Sequence, residues 1–216
     1  MCNVIIPHFT NFPLLTQKRA DFELFKQGVL YIKDKESLTL EDLEYLVSLR
    51  ASMGKGLSGK LLEMFPNIKP ADRPLVENVK NLNPNWVTGF AAGDGCFTVK
   101  ASKTEKGLKT RIQLEFKITQ HSRDQELMKG LIEFFNCGSI IVNQKFVDYH
   151  TTKFSDLTEI IMPFFEKYPI IGVKYLDFLG FVEVANLMKG KKHLTAEGLN
   201  KILAVKAGMN KGRYLD

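Results

Sequence analysis

Residues 86–97 read Trp86-Val87-Thr88-Gly89-Phe90-Ala91-Ala92-Gly93-Asp94-Gly95-Cys96-Phe97, and the fold follows from how this stretch is parsed. Val87, Phe90 and Ala91 fall on one face of a 3.6-residue period, the signature of a short packed helix. Gly89 and Gly93 stand four apart, so they share a face that carries no side chains and lets another backbone come close. Pro84 and Asn85 mark the entry to this helix. Gly93-Asp94-Gly95 stops it and leaves a single carboxylate at its C-terminal tip.

Two stretches of period-2 alternation follow. From Cys96 to Ser102, Phe97, Val99 and Ala101 alternate with Thr98, Lys100 and Ser102. From Arg111 to Gln120, Ile112, Leu114, Phe116 and Ile118 alternate with Arg111, Gln113, Glu115, Lys117 and Thr119. The joining segment 103–109 carries Lys103, Lys106 and Lys109, so the pair reads as a hairpin with one polar, basic face. Such a ribbon has the width and the residue types to enter a DNA major groove. A plain solvated sheet face accounts for the same alternation. A helix over about 123–136 follows, with Leu127, Met128, Leu131, Ile132 and Phe135 inward. Strands near 139–143 and 146–151 come next, then further helices. The order αββαββα defines an α+β unit.

The chain also repeats. Residues 3–56 align without a gap on 159–212. Pro7 and Pro13 fall on Pro163 and Pro169, and Lys18, Asp21, Phe22 and Phe25 on Lys174, Asp177, Phe178 and Phe181. Leu38, Thr39 and Glu41 fall on Leu194, Thr195 and Glu197, and Met53 and Lys55 on Met209 and Lys211. Each copy reads as an apolar strand end, a Pro-bounded turn and two helices. Thr39 and Thr195 are the N-caps of the second helices. These carry the stripes Leu43, Leu46, Val47 and Leu199, Ile202, Leu203. Between the copies, Pro66, Pro70 and Pro74 forbid a helix and mark an extended linker. The expected organisation is a trailing part of a first unit at 1–65, a linker at 66–85 and a complete unit at 86–216.

Composition bounds the rest. The 216 residues are 44% hydrophobic, enough for a real core, and 30 Lys and Arg against 24 Asp and Glu leave a net charge of +6, which suits a polyanionic partner. Cys2, Cys96 and Cys137 are odd in number and widely spaced, so they support neither a disulfide framework nor a zinc site. His8, His121, His150 and His193 show no paired ligand spacing. No apolar run reaches the roughly 18 residues of a membrane span, so no membrane partner is expected. The N-terminal residues lack the basic start of a signal peptide.

The stretch Trp86 to Phe97 resembles the motif helix and first strand of LAGLIDADG homing endonucleases. Ile118-Thr119-Gln120, Phe154-Ser155-Asp156-Leu157 and Ile161-Met162-Pro163-Phe164-Phe165 extend the resemblance to fungal mitochondrial members encoded in group I introns. It covers nearly the whole chain. It implies two αββαββα units packed through their motif helices, here through Gly89 and Gly93, with sheets forming a saddle over double-stranded DNA. It also implies a metal-dependent DNA endonuclease in a mitochondrial setting. Asp94, with the backbone carbonyl of Gly93, becomes the ligand for a divalent cation, usually Mg²⁺. Gln120 becomes the residue that orders the surrounding water, and Lys174 the basic group near the scissile phosphate. DNA contacts are expected from Thr98, Lys100, Ser102, Lys103, Lys106, Lys109, Arg111, Gln113, Glu115 and Lys117. Ala92 occupies a helix position that is often acidic in the family. Since this sequence contains one motif helix, a second unit is expected from another chain or from a homodimer. The alternative is a cleavage-deficient protein that binds nucleic acid, such as a group I intron RNA maturase or a ribonucleoprotein component.

Overall fold

The structure, a computed structural model, describes residues 2–77, 81–103 and 110–213. The chain divides into two compact units, with the boundary at residues 79/80.

The first unit is helical: α1 (Ile5–Asn11), α2 (Lys18–Ile32), α3 (Leu40–Ala51) and α4 (Gly59–Met64). Ala20, Phe22 and Leu24 of α2 meet Val47 and Leu49 of α3 in its small core. Thr39 caps α3 through a complete capping box. Its hydroxyl accepts from the Asp42 N–H, and the Asp42 carboxylate accepts from the Thr39 N–H. The segment after α4 has no regular structure but is held against its own unit. Ala71 N–H donates to the Ser48 carbonyl, and the Arg73 guanidinium donates to the Ser52 and Gln17 carbonyls.

The second unit is built from α5 (Pro84–Asp94), β1 (Gly95–Lys103), β2 (Thr110–His121), α6 (Gln125–Phe135), β3 (Ser139–Val142) and β4 (Phe146–Thr151), followed by helices. The expected order αββαββα is present. The four strands form one antiparallel sheet in the order β1-β2-β4-β3, so β1 is an edge strand. Phe97, Val99, Leu114, Phe116, Ile118, Val147 and Tyr149 point from one sheet face into the core. Phe97 is fully buried and has the rings of Phe116, Phe165, Phe178 and Phe181 within 4.9–5.4 Å. Each such pair adds about 0.5–1.5 kcal/mol beyond area burial. The sheet is therefore pinned to the helices at the start of β1.

After β4 the chain runs through α7 (Phe154–Asp156), a π turn (Leu157–Ile161) and α8 (Met162–Lys167), then α9 (Lys174–Lys189) and α10 (Ala196–Ala207). This corrects the expected apolar strand ends at 3–6 and 159–162, which are turn and helix instead. Pro7 and Pro163 sit inside helical segments. Pro7 falls in the first turn of α1, where its missing N–H has no partner to lose. Pro163 is the second residue of α8, separated by Met162 from the widened π turn, where the ladder makes room for the ring. The stripes of α3 and α10 are also narrower than expected: Leu43 and Leu203 are exposed, and Val47 and Ile202 carry the burial. Among the described residues no helix is long and apolar enough to cross a membrane.

Candidate functional site

Asp94 is the last residue of α5, and β1 begins at the next residue with no loop between. Gly95 permits this junction. A Cβ built on it would lie 2.5 Å from the Ala91 carbonyl oxygen, so no other residue fits without moving the helix end. Asn83 caps the other end of α5, with Pro84 in the first turn. Thr88 ties the helix to α8 by donating to the Tyr168 carbonyl (3.1 Å). The carboxylate of Asp94 is thereby fixed at an exposed helix–strand corner.

Two distant side chains converge on that corner. Gln120 lies at the end of β2 with the parity of the core-facing residues, and its Nε2 donates to Asp94 Oδ2 at 2.6 Å. Lys174, the first residue of α9, sends its ammonium to the carbonyls of Ala91 (3.2 Å), Gly93 (3.1 Å) and Gly95 (2.6 Å). A cation at a helix C-terminus meets its unpaired carbonyls and the negative end of its dipole. Burial lowers the Lys174 pKa, against the opposing pull of Cys96, Asp94 and Asp177. The three residues assigned from the resemblance, Asp94, Gln120 and Lys174, are thus in one place.

The sheet face turned away from the core carries most of the expected polar set. Thr98 pairs with Glu115, Lys100 with Gln113 and Ser102 with Arg111 across β1 and β2. Lys100 forms an ion pair with Glu115 at 2.8 Å. Lys103 does not join them, since it has the parity of Phe97, Val99 and Ala101 and ends the strand opposite Thr110. Lys106 and Lys109 lie outside the described residues. The same face continues through residues that sequence reading did not select. Asp148 of β4 accepts from Thr119 (2.5 Å) and lies 3.7 Å from Lys117, and His150 Nε2 is 3.0 Å from Ser139 Oγ. The alternation of Phe146, Asp148 and His150 with Val147, Tyr149 and Thr151 was the signal that could have found them.

Gly89 and Gly93 stand exposed on α5, and a Cβ built on either meets nothing within 4 Å. Among the described residues no group of three or more His, Cys, Asp or Glu side chains is placed to hold a metal. Asp94 and the nearby carbonyls are the oxygen donors of this corner.

Three similarities bear on the site. A family model for LAGLIDADG endonuclease matches residues 87–185, from α5 into α9. Probable intron-encoded endonuclease 3 of Neurospora crassa is 42% identical over 204 residues, covering 93% of this chain and 38% of that protein. The chain thus spans well under half the length of that relative. The crystal structure of the meganuclease I-SmaMI bound to uncleaveable DNA matches with a TM-score of 0.93 at 42% identity, over 99% of this chain and 72% of that one. The same meganuclease, bound to an uncleaved DNA target in the presence of calcium ions, matches with a TM-score of 0.92 at 42% identity, over 97% and 72%.

Proposed function

This chain belongs to the LAGLIDADG endonuclease family, and on that premise we propose that it acts in a homing-type endonuclease that hydrolyses both strands of a double-stranded DNA target. What supports this reading is the position of Asp94. It is an exposed carboxylate at a helix–strand corner, held by Gln120, with the Lys174 ammonium on the adjacent carbonyl and the strand that carries the polar face starting at the next residue. We read residues 86–216 as one complete unit, 66–85 as its linker and 1–65 as the trailing part of another.

In this proposal the face of β1, β2 and β4 lies in the major groove. Thr98, Lys100, Ser102, Arg111, Gln113, Glu115 and Lys117 meet bases and phosphates there. Asp94 Oδ1 and the Gly93 carbonyl offer hard oxygen donors that suit Mg²⁺. One carboxylate is enough, because this ion keeps several waters and takes phosphate oxygens as ligands. The Gly93 carbonyl retains a lone pair beside the one that accepts from Lys174. Bound there, the cation would supply charge shielding on the phosphate and a more acidic water. Gln120 holds the Asp94 carboxylate in one orientation. Lys174 fixes the carbonyls of the helix end and adds positive charge where the phosphate's charge grows. The bare Gly89 and Gly93 face receives a second motif helix, from another chain or a second copy. An organelle intron as the source belongs to the same proposal.

The test is cleavage of a randomised duplex library with Mg²⁺, with chelator controls. Cutting that stops with chelator and falls at least about a hundredfold in Asp94→Asn, with binding retained, is the expected result. Equal cutting by Asp94→Asn overturns the assignment. Salt-dependent binding to intron RNA without DNA cleavage would replace it with the RNA-binding alternative.

A further inference from the structure

Asn210 follows α10 in a left-handed backbone conformation, φ 53°. Three of its groups are engaged. Its N–H donates to Asp177 Oδ1 at 2.8 Å. Its Nδ2 donates to the Phe97 carbonyl at 3.0 Å, and its Oδ1 accepts from the Cys96 thiol at 3.4 Å. Cys96 and Phe97 are the first residues of β1 beyond the Asp94–Gly95 corner. Since β1 is an edge strand, β2 holds it from one side only. The side chain of Asn210 is a second hold on it.

The first copy supplies an internal control. The position that aligns with Asn210 is Gly54, also left-handed (φ 36°), whose N–H donates to Asp21 Oδ1 at 3.0 Å. The backbone role is therefore met without a side chain. The carboxamide is an addition in the copy that packs against the Asp94 corner.

We propose that Asn210 is a positioning residue for the Asp94 site, holding the start of β1 so that the helix–strand corner keeps one geometry. Lys174 clamps the carbonyls up to Gly95, and Asn210 clamps the next two residues. This rests on reading Asp94 as the reacting centre, where small misplacements are costly in rate.

Asn210→Gly tests it, because glycine keeps the left-handed backbone and the N–H to Asp177 and removes only the carboxamide. Asn210→Asp tolerates the same backbone and keeps an acceptor for Cys96, but loses the donor to Phe97. In a Cys2→Ser background, both variants are expected to cleave at least about tenfold more slowly than the parent, with DNA affinity within about twofold. Amide exchange across residues 94–99 rises in both, and in Asn210→Gly iodoacetamide reacts faster with Cys96. Parent-like exchange and alkylation in Asn210→Gly, or a parent-like cleavage rate in both variants, overturns the proposal. If the parent itself cuts no duplex, the endonuclease reading falls, and exchange and alkylation still decide whether Asn210 holds the strand.

Discussion

The helix pairs α2–α3 and α9–α10 are two copies of one device, and their differences say more than their likeness. In each, an aspartate in the first helix grips the loop after the second: Asp21 accepts from Gly54, and Asp177 from Asn210. In each, an arginine seals the joint. Arg73 bonds Asp21 at 2.7 Å and the Gln17 carbonyl, and Arg213 bonds Asp177 at 2.7 Å and the Val173 carbonyl. Gln17 and Val173 are matching positions, but the arginines are not. Arg73 comes 52 residues after its aspartate and Arg213 36 residues after. The geometry repeats although the sequence register of one partner does not. Three aligned pairs then make different contacts: Asp42 and Gly198, Lys18 and Lys174, Gly54 and Asn210. In two of these, Lys174 and Asn210, the second copy reaches the Asp94 corner.

Breaking the shared joint should give the largest effect. Asp177→Ala removes a buried carboxylate, leaves the Asn210 N–H without its acceptor and the half-buried Arg213 guanidinium with only the Val173 carbonyl, and is expected to cost about 3 kcal/mol in urea unfolding of the second unit. Asp21→Ala should cost roughly half as much, because the Asp21 and Arg73 side chains are 15% and 31% exposed, against 8% and 15% for Asp177 and Arg213. Equal losses would mean that exposure does not set the strength of the joint.

Exchanging the third residues of α3 and α10 comes next. A Cβ at Gly198 would lie 2.0 Å from the Lys192 carbonyl oxygen, which is why Thr195 caps without a reciprocal partner. Gly198→Asp should lose about 1–3 kcal/mol, and a stable variant would show that this turn yields. Lys174→Met should lower the second unit's stability by about 2 kcal/mol through its three carbonyl bonds. Lys18→Met should leave the first unit's melting unchanged, since Lys18 is exposed.

The smallest effect is acid sensitivity of the first unit. The Lys35 ammonium, the Thr39 N–H and the Tyr31 hydroxyl hold the Asp42 carboxyl well below the ordinary value of 3.8. For Asp21, burial pushes upward, but Gly54 and Arg73 together carry it below that value. Their contribution is present above the unfolded pKa and is lost as pH falls through the lower folded values. Acidification below about pH 4 should therefore weaken the first unit, with a shallower slope in Asp42→Asn. An unchanged slope would remove Asp42 from the account.

What was legible in the sequence was what is written locally. The helix ending at Asp94, the alternation of β1 and β2, and the caps Thr39 and Thr195 all stand as read. The apolar residues at 3–6 and 159–162 looked like strand ends because β-branched runs favour strands. Packing and the tolerance of early-turn or π-widened helices for proline decided otherwise. At the site, Asp94 was visible as a carboxylate at a helix stop, and Gln120 and Lys174 only through family resemblance. The pairs Arg73–Asp21 and Arg213–Asp177, and the reach of Asn210 to Phe97, leave no local trace. They join residues that share neither a helix period nor a strand pairing.

The clamps on the corner after α5 also set an order of events in synthesis. Lys174 follows Gly95 by 79 residues, and Asn210 follows Phe97 by 113. Gln120, which holds the carboxylate, follows Asp94 by only 26 residues, but the two clamps on the backbone of the corner are made much later. Until the last helices dock, a nascent or partly unfolded chain holds Asp94 on a corner that lacks the Lys174 and Asn210 clamps. The full geometry of that corner therefore belongs only to chains whose final helices have been made and docked.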